Sequence, residues 1–551
     1  MGELIRIDQL NFHYPEQARP ALAEVSLTIE SGTFVTIVGA TGSGKTTLLK
    51  LLKPELRPAG EQTGQVIFHD HSVQTLSRKA SAQQLGYVTQ DPQTQPIMAT
   101  VIEELAFSLE NVGVDAADMT MRIAELSNFL GLDKLLHRSI ESLSGGQLQL
   151  VNLASVLVLK PEVILLDEPT AQLDPTTAQT FLAVLRQIHD ELGVTIILTE
   201  HRLNQVLAMT DQLILLAHGR VDYVGPVSAG LRQMYQTQEL RPFVPPIPEF
   251  FLAHELAAQP LPLTVTAGRH ALQMADYKLV GQEQTVPPQK QMSPLVVVNT
   301  ISKSYVPGET ILRQLDLTVY SGDWLAIIGK NGSGKSTLLT VLAGLQKPQH
   351  GKVRLNQRTV WKLKNKDRLQ QIGYLSQNPT EQFSGRSVTA ELRAQATLVG
   401  VSDVAQAVKR MLTVCHLTAV ADQNAFDLSG GQQQLLGLGL ALIGKPTLLL
   451  LDEPTKGLDP VTKQYIGGIL RQGHHAGLTI VMASHDMDFC AAFALHCTFM
   501  FNGQVSQPQL TRDFFTRNFF STTPVNRLVK QQVPEALFWQ DVRCATKGGE
   551  S

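Results

Sequence analysis

Two nine-residue loops in this chain have the composition to hold a phosphate group: GATGSGKTT at 39–47 and GKNGSGKST at 329–337. Glycines at Gly39, Gly42 and Gly44, and at Gly329, Gly332 and Gly334, let the backbone fold around an anion so that its N–H groups donate. Thr41, Ser43 and Thr47, or Asn331, Ser333 and Thr337, complete each loop. Lys45 and Lys335 are placed to reach the outer phosphates, and the hydroxyls of Thr46 and Ser336 to ligate Mg²⁺. Further along, Asp167 and Asp452 each end an apolar run, where a strand tip would offer a carboxylate to Mg²⁺. The residues that follow, Glu168 and Glu453, are candidate general bases for an attacking water. The implied chemistry is Mg²⁺-assisted attack of water on the outer phosphate of a bound nucleotide.

The elements that must position these groups come in two copies. Glycine loop, LSGGQ (143–147 and 428–432) and LLDEPT (165–170 and 450–455) recur in the same order at nearly constant spacing, which marks a duplicated domain. Short apolar runs at 33–38, 163–166, 195–198, 324–328, 448–451 and 479–482 predict buried parallel strands. The stretches 46–52 and 336–342 predict the helices that follow the loops. The fold class is α/β, with two tandem P-loop domains. Expected boundaries are 1–225 for the first core, 226–293 for a C-terminal appendage plus linker, 294–510 for the second core and 511–551 for a second appendage. Pro242, Pro245, Pro246, Pro248, Pro260, Pro262, Pro287 and Pro288 argue against long regular elements in the middle stretch. RPFVPPIPEFFLAHEL after the first core is loosely echoed by TTPVNRLVKQ after the second, leaving 281–293 as the expected linker proper.

Composition narrows the class. A chain of 551 residues exceeds a single hydrophobic core, and 43% hydrophobic, 17% charged residues and a net charge of −3 describe a globular protein with no call for nucleic acid. Cys415, Cys490, Cys497 and Cys544 lack the spacing of a zinc site or a disulfide framework. The N-terminus has no signal-peptide pattern and no apolar stretch is long enough to span a bilayer, so the expectation is a cytoplasmic protein that reaches a membrane through partners.

Glycine loop, LSGGQ, LLDEP and a later lone histidine, in this order, resemble the ATP-binding-cassette ATPases across both halves. The resemblance implies that each cassette also has a helical subdomain. It implies that Ser144, Gly145, Gly146 and Gln147 complete the nucleotide site of the second cassette, and Ser429, Gly430, Gly431 and Gln432 that of the first, the cassettes pairing within one chain. By the same resemblance Gln90 and Gln377 touch Mg²⁺ and the water, His201 and His485 contact the γ-phosphate, and Tyr14 and Tyr305 stack on adenine. Leu150 and Leu435 depart from the arginine common three residues after LSGGQ, and the aspartate loops read AQLD (171–174) and KGLD (456–459) in place of a serine-led form.

QDPQTQPIMATVIEELAF and QNPTEQFSGRSVTAEL, with EHRL at 200–203, resemble the energy-coupling-factor ATPases of vitamin and metal uptake. That likeness implies a transmembrane scaffold subunit, a small-molecule-binding membrane subunit, and a peripheral place on the cytoplasmic face of the cell membrane. Docking is expected near 90–107 and 377–392, with Glu103, Glu104 and Glu391 either meeting arginines of the scaffold or lying solvated. The alternative is a non-transport twin cassette acting on ribosomes or nucleic acid. Lys362, Lys364, Lys366 and Arg368 read as a solvated face with lipid headgroups as the minority reading, and Phe514, Phe515, Phe519 and Phe520 as a buried set.

Overall fold

The apolar runs FVTIV, VILLD and TIILT form the strands Phe34–Val38, Val163–Asp167 and Thr195–Thr199, and no position in any of them is exposed. Branched and aliphatic residues suit strands covered on both faces, which is why alternation is missing from these segments. The computed structural model describes residues 2–15, 19–256, 258–275, 277–282, 293–306 and 308–545. It divides into two units, Met1–Ala267 and Gly268–Ser551.

In the first unit six strands run in the order Arg220–Gly225, Gln212–Ala217, Phe34–Val38, Thr195–Thr199, Val163–Asp167, Leu85–Val88. All neighbours are parallel except the edge pair Arg220–Gly225 and Gln212–Ala217. Parallel alignment brings the carboxyl ends of the central strands to one edge, where open α/β sheets carry their ligands. The glycine loop, Gln90, the Asp167–Glu168 pair and His201 all follow those ends. A four-stranded antiparallel sheet packs over one face, with Ile5, Ile7 and Val25 in one core with Leu48 and Leu49 of the loop helix Lys45–Leu51. A helical layer, Val101–Asn111, Ala116–Leu130 and Gly145–Leu157, completes the unit.

The second unit repeats this plan. Gln504–Val505, His496–Phe501, Trp324–Ile328, Thr479–Ser484, Leu448–Asp452 and Ile372–Leu375 stand in the same relative order. Its helical layer is Val388–Val399, Val404–Val414 and Gly430–Leu442. Tandem α/β domains follow from both.

The middle stretch differs from expectation in two ways. Its prolines do not prevent helices: Val227–Gln236, Pro246–Ala253 and Val265–Met274 form, with Pro226 and Pro245 as N-caps and Pro246 at the first helical position. A missing N–H costs nothing in the first turn of a helix. The echoed segment behaves alike, since Pro524–Val529 is a second short proline-led helix capped by Thr523. The division between units also falls at 267/268 and not at 293/294. Lys278–Gly281 pairs antiparallel with Val542–Ala545, which ties this segment to the second unit. Of the expected linker 281–293, residues 283–292 lie outside the described residues.

Candidate active sites

The two glycine loops are sterically obliged to be glycine. A Cβ at Gly39 would lie 2.2 Å from the Leu216 carbonyl oxygen, and one at Gly44 2.5 Å from that of Ala21, with φ of +103° besides. At Gly329 the obstruction is the Met500 carbonyl oxygen at 2.6 Å. Gly42 and Gly332 meet no neighbour but adopt φ of +82° and +78°, which side chains disfavour. Each lysine closes its own loop: Lys45 Nζ donates to the carbonyls of Gly39 (2.8 Å) and Ala40 (3.1 Å), and Lys335 Nζ to those of Gly329 (2.7 Å) and Lys330 (3.1 Å). Ser43 Oγ and Ser333 Oγ are buried with no hydrogen-bond partner among the described residues, while Thr41 and Asn331 stand exposed at the loop tips.

Asp167, 3% exposed, accepts the hydroxyls of Thr46 (3.0 Å) and Thr199 (2.9 Å) on one oxygen and that of Tyr87 (3.4 Å) on the other. Burial holds its carboxyl above the usual carboxylate range, against the pull of the Thr46 hydrogen bond. Asp452 is hydrogen-bonded by Ser336 and is pushed by burial up to about 6. Its partner strand carries Ala483 where the first unit has Thr199, and its Oδ1 is buried without a partner.

Glu168 and Glu453 both take a left-handed backbone, φ 44° and 48°, a conformation that costs a non-glycine residue about 1–3 kcal/mol. Strained backbone at a functional group is a recognised pattern, and here it occurs twice at the same place. Glu168 receives Gln90 Nε2 on Oε2 (2.9 Å) and has His201 Nε2 at 2.7 Å from Oε1. Glu453 has His485 Nδ1 at 2.8 Å from Oε2, and Lys335 Nζ at 3.6 Å from Oε1. Gln377 lies exposed and, among the described residues, makes no hydrogen bond to Glu453. The first site therefore brings together Lys45, Thr46, Gln90, Asp167, Glu168 and His201. The second assembles Lys335, Ser336, Asp452, Glu453 and His485, with Gln377 apart.

Sequence reasoning missed the carboxylates that hold the histidine turns. In the first unit Glu200, 2% exposed, accepts from Thr170 N (3.1 Å), the Thr170 hydroxyl, His201 N (3.0 Å) and Arg202 N (3.3 Å). In the second unit Ser484 occupies that position, and the carboxylate moves to the other side of the histidine. Asp486 accepts from the Thr455 hydroxyl (3.3 Å) and from Lys463 Nζ (2.6 Å) and caps the helix Met487–Phe493. The only signal was an acid on one side of each histidine, TEH in one copy and SHD in the other. Phe243, from the segment after the first core, also packs against His201 with ring centroids 5.7 Å apart.

The LSGGQ segments start helices. Ser144 and Gln147, and Ser429 and Gln432, form capping boxes on Gly145–Leu157 and Gly430–Leu442, worth about 1 kcal/mol each. Gly146 is packed, its Cβ position 2.1 Å from Thr177 Cγ2, and Gly431 is in ordinary contact with Thr462. Gly145 and Gly430 have nothing within 4 Å and no positive φ, so nothing among the described residues of either unit asks for glycine there. Tyr14 shares a hydrogen bond with Thr47 (3.1 Å), and Tyr305 donates to Gln346 (2.7 Å) and lies 3.4 Å from Thr337 Oγ1, which sets both rings beside their loops.

Two expectations about surface groups are corrected. Glu104 accepts the backbone N–H groups of Ile97 and Met98 (2.9 Å each), and Glu391 those of Ser384 (2.7 Å) and Arg386 (3.1 Å); both are about 95% buried, at 5% and 4% exposure. They fasten the loops after Gln90 and Gln377 from within and are neither solvated nor free to meet a partner, while Glu103 is used in a capping box at Thr100. Phe514 and Phe515 are buried, but Phe519 and Phe520 are 69% and 83% exposed, because the helix Thr511–Arg517 has ended before them.

The profile of the ABC transporter family matches residues 22–171 and 312–456, one stretch in each unit. A Bacillus cereus protein named as an ABC transporter ATP-binding protein is 43% identical over 539 residues, covering 97% of both chains. A Bacillus subtilis protein named as an HMP/thiamine import ATP-binding protein is 32% identical and covers 89% of each. Among solved structures, that of an archaeal ribosome recycling factor with a ribosomal stalk protein covers 92% of this chain and 91% of its own, at TM-score 0.58 and 19% identity, a likeness of fold alone.

Proposed function

The chain belongs to the ABC transporter ATP-binding proteins, a family of ATPases, and on that premise we propose that it energises an importer of the energy-coupling-factor type, for a vitamin, a vitamin precursor or a metal ion. The observation that carries the reading is the convergence, in each unit, of a loop lysine, a hydroxyl, a buried aspartate, a strained glutamate and a histidine at the carboxyl ends of adjacent strands. The donor set fits a nucleotide with Mg²⁺. Orphaned Ser43 and Ser333 hydroxyls, the loop glycines that admit no Cβ, and the unpartnered Asp452 Oδ1 all call for a polar occupant.

Thr46, Asp167 and Gln90 would hold the metal in the first site, and Ser336, Asp452 and Gln377 in the second. Bound Mg²⁺ neutralises charge on the outer phosphate oxygens. The loop N–H groups and Lys45 or Lys335 grip the phosphates, each lysine exchanging carbonyl oxygens for phosphate oxygens. Glu168 or Glu453 orients the attacking water and takes its proton, and His201 or His485 fixes that carboxylate and reaches the γ-phosphate. Tyr14 and Tyr305 face adenine. Gly145 and Gly430, free of any local need to be glycine, suit close approach to a nucleotide held by the other cassette, so that Ser144–Gln147 and Ser429–Gln432 each complete the opposite site.

The importer type is supported by the segments after Gln90 and Gln377, by EHRL at 200–203, and by the thiamine-import name of the Bacillus subtilis relative. Among the described residues no helix is long and apolar enough to cross a membrane, so the scaffold and substrate-binding subunits would supply the membrane part. ATPase rate and nucleotide occupancy test the paired sites. Lys45→Ala should be non-additive with Ser429→Arg and additive with Ser144→Arg, and the reverse pattern would mean independent cassettes. Co-purification of membrane subunits with a bound ligand tests the importer, and stimulation by ribosomes or nucleic acid in place of a membrane scaffold would overturn it.

A further inference from the structure

The second cassette carries a basic face that the first lacks. From Lys347 to Leu375 there are eight Lys or Arg residues against one acid, Asp367, whereas the matching stretch 57–88 has three against two. The chain as a whole has a net charge of −3, so this concentration does not follow from composition.

The fold leaves all of these charges but Arg368 exposed and gathers Lys347, Lys352 and Lys362 around one cleft. On the strand His350–Leu355, Lys352 and Arg354 are exposed while Val353 and Leu355 are buried, the alternation of a sheet with one wet face. Lys362, Lys364 and Lys366 follow, all exposed, on the turn Val360–Lys362 and into the helix Asn365–Gln371. Arg368 pins that helix by donating to the Gly344 carbonyl at 2.9 Å. A cleft of about 330 Å³ opens among Lys347, Lys352, Thr359, Trp361 and Lys362. The indole N–H of Trp361 is buried with no acceptor among the described residues. Among the described residues none of these five lysines forms an ion pair.

We propose that this face rests on an anionic lipid surface, with headgroup phosphates taken up by the lysines around the Trp361 cleft. Clustered lysines are attracted to anionic bilayers, and the half-buried Trp361 and Leu363 between them are the residue types that settle at headgroup depth. No described helix can cross a bilayer, so such contact is superficial and electrostatic. One recessed indole is a poor platform for successive bases, which disfavours a single-stranded nucleic acid. The inference rests on the transport reading only in setting the chain near a membrane.

The test uses the purified full chain and vesicles of phosphatidylcholine, with or without an equal share of phosphatidylglycerol, and contains no partner subunit. Sedimentation with the anionic vesicles alone, lost at high salt, is expected. Lys362→Gln, Lys364→Gln and Lys366→Gln together should lower partitioning on the order of a hundredfold, at roughly fivefold per charge. Arg78→Gln with Lys79→Gln, the control in the first cassette, should leave it nearly unchanged. The triple variant should keep its Mg²⁺-ATP binding and basal ATPase activity, which separates lost contact from lost folding. Equal binding to neutral vesicles, no binding, equal loss in the control, or capture of an RNA oligonucleotide by these lysines without vesicle binding would each overturn the proposal. Failure of hydrolysis or of scaffold docking would leave the vesicle result as it stands.

Discussion

The histidine turns of the two cassettes are fastened by different means. In the first, Glu200 gathers three backbone N–H groups and one hydroxyl, with no cation among these partners. In the second, Asp486 does the equivalent work from the far side of the histidine and is neutralised by Lys463 at 2.6 Å. The glutamate and histidine that these turns present nevertheless recur, with the same left-handed backbone at Glu168 and Glu453, although the ring nitrogen in contact is Nε2 in His201 and Nδ1 in His485. Duplication has kept the glutamate and histidine proposed to face the phosphate and let the groups behind them diverge. Support can be rebuilt from any donors that satisfy a buried carboxylate, whereas reactive geometry cannot.

The strongest challenge to the likeness of the two sites is the pair Glu168→Gln and Glu453→Gln. The double variant should lose ATPase activity by roughly 10²–10⁴-fold with nucleotide binding intact, as measured by turnover and by occupancy. Near-normal turnover would remove both residues from the role of base. Next in size is Glu200→Ala, which takes the acceptor from four donors, the two on Thr170 buried and the N–H groups of His201 and Arg202 partly so. It should destabilise the first unit by roughly 1–3 kcal/mol and lower turnover at that site, read by thermal melting and ATPase rate.

Lys463→Met probes the other clamp and should cost the second unit a comparable amount near neutral pH, because it leaves Asp486 buried without its cation. Burial alone would raise the Asp486 carboxyl, but Lys463, with the Phe489 N–H, brings it down to about 2. A folded value below the unfolded 3.8 means that the stabilisation is complete above about pH 4 and is lost as pH falls toward 2. Asp488, raised to about 6 by burial and by Asp486, acts in the opposite sense: its contribution is full below about pH 4 and is lost as pH rises through 6. In Lys463→Met the acid arm should vanish from the pH profile of melting, and the first unit's profile should not change. The smallest expected effect is that of Thr199→Ala, which copies Ala483 into the first unit. The hydroxyl it removes donates to Asp167 (2.9 Å) and accepts the Glu168 N–H (2.9 Å), a loss of about 1–2 kcal/mol measured by denaturant unfolding.

Much of this was legible in the sequence because buried parallel strands announce themselves as unbroken apolar runs and glycine loops as positions that tolerate no side chain. Trp324–Ile328 was placed to the residue, and the loop helices to within one. The proline stretch misled because proline breaks a helix only in its interior, and Pro246 sits at a start. Glu104 and Glu391 misled because an acid reads as a surface residue unless it is known which backbone N–H groups the loop folds against it. The Gln377 offset and the exchange of Glu200 for Asp486 have no periodicity to betray them, since they depend on side-chain direction across separate strands.

The small sheet that joins Lys278–Gly281 to Val542–Ala545 has a bearing on how the molecule is made. Its two strands are separated by nearly the whole second cassette, so the earlier one leaves the ribosome long before its partner exists. The first unit can complete its core while synthesis continues, as domains generally do. The second must wait for Val542–Ala545 to emerge before the strand that precedes it is covered. Until then the backbone of Lys278–Gly281 has an open edge, the kind that pairs with the wrong chain. Emergence of Val542–Ala545, more than that of the second glycine loop, is therefore the moment at which this strand pair can close.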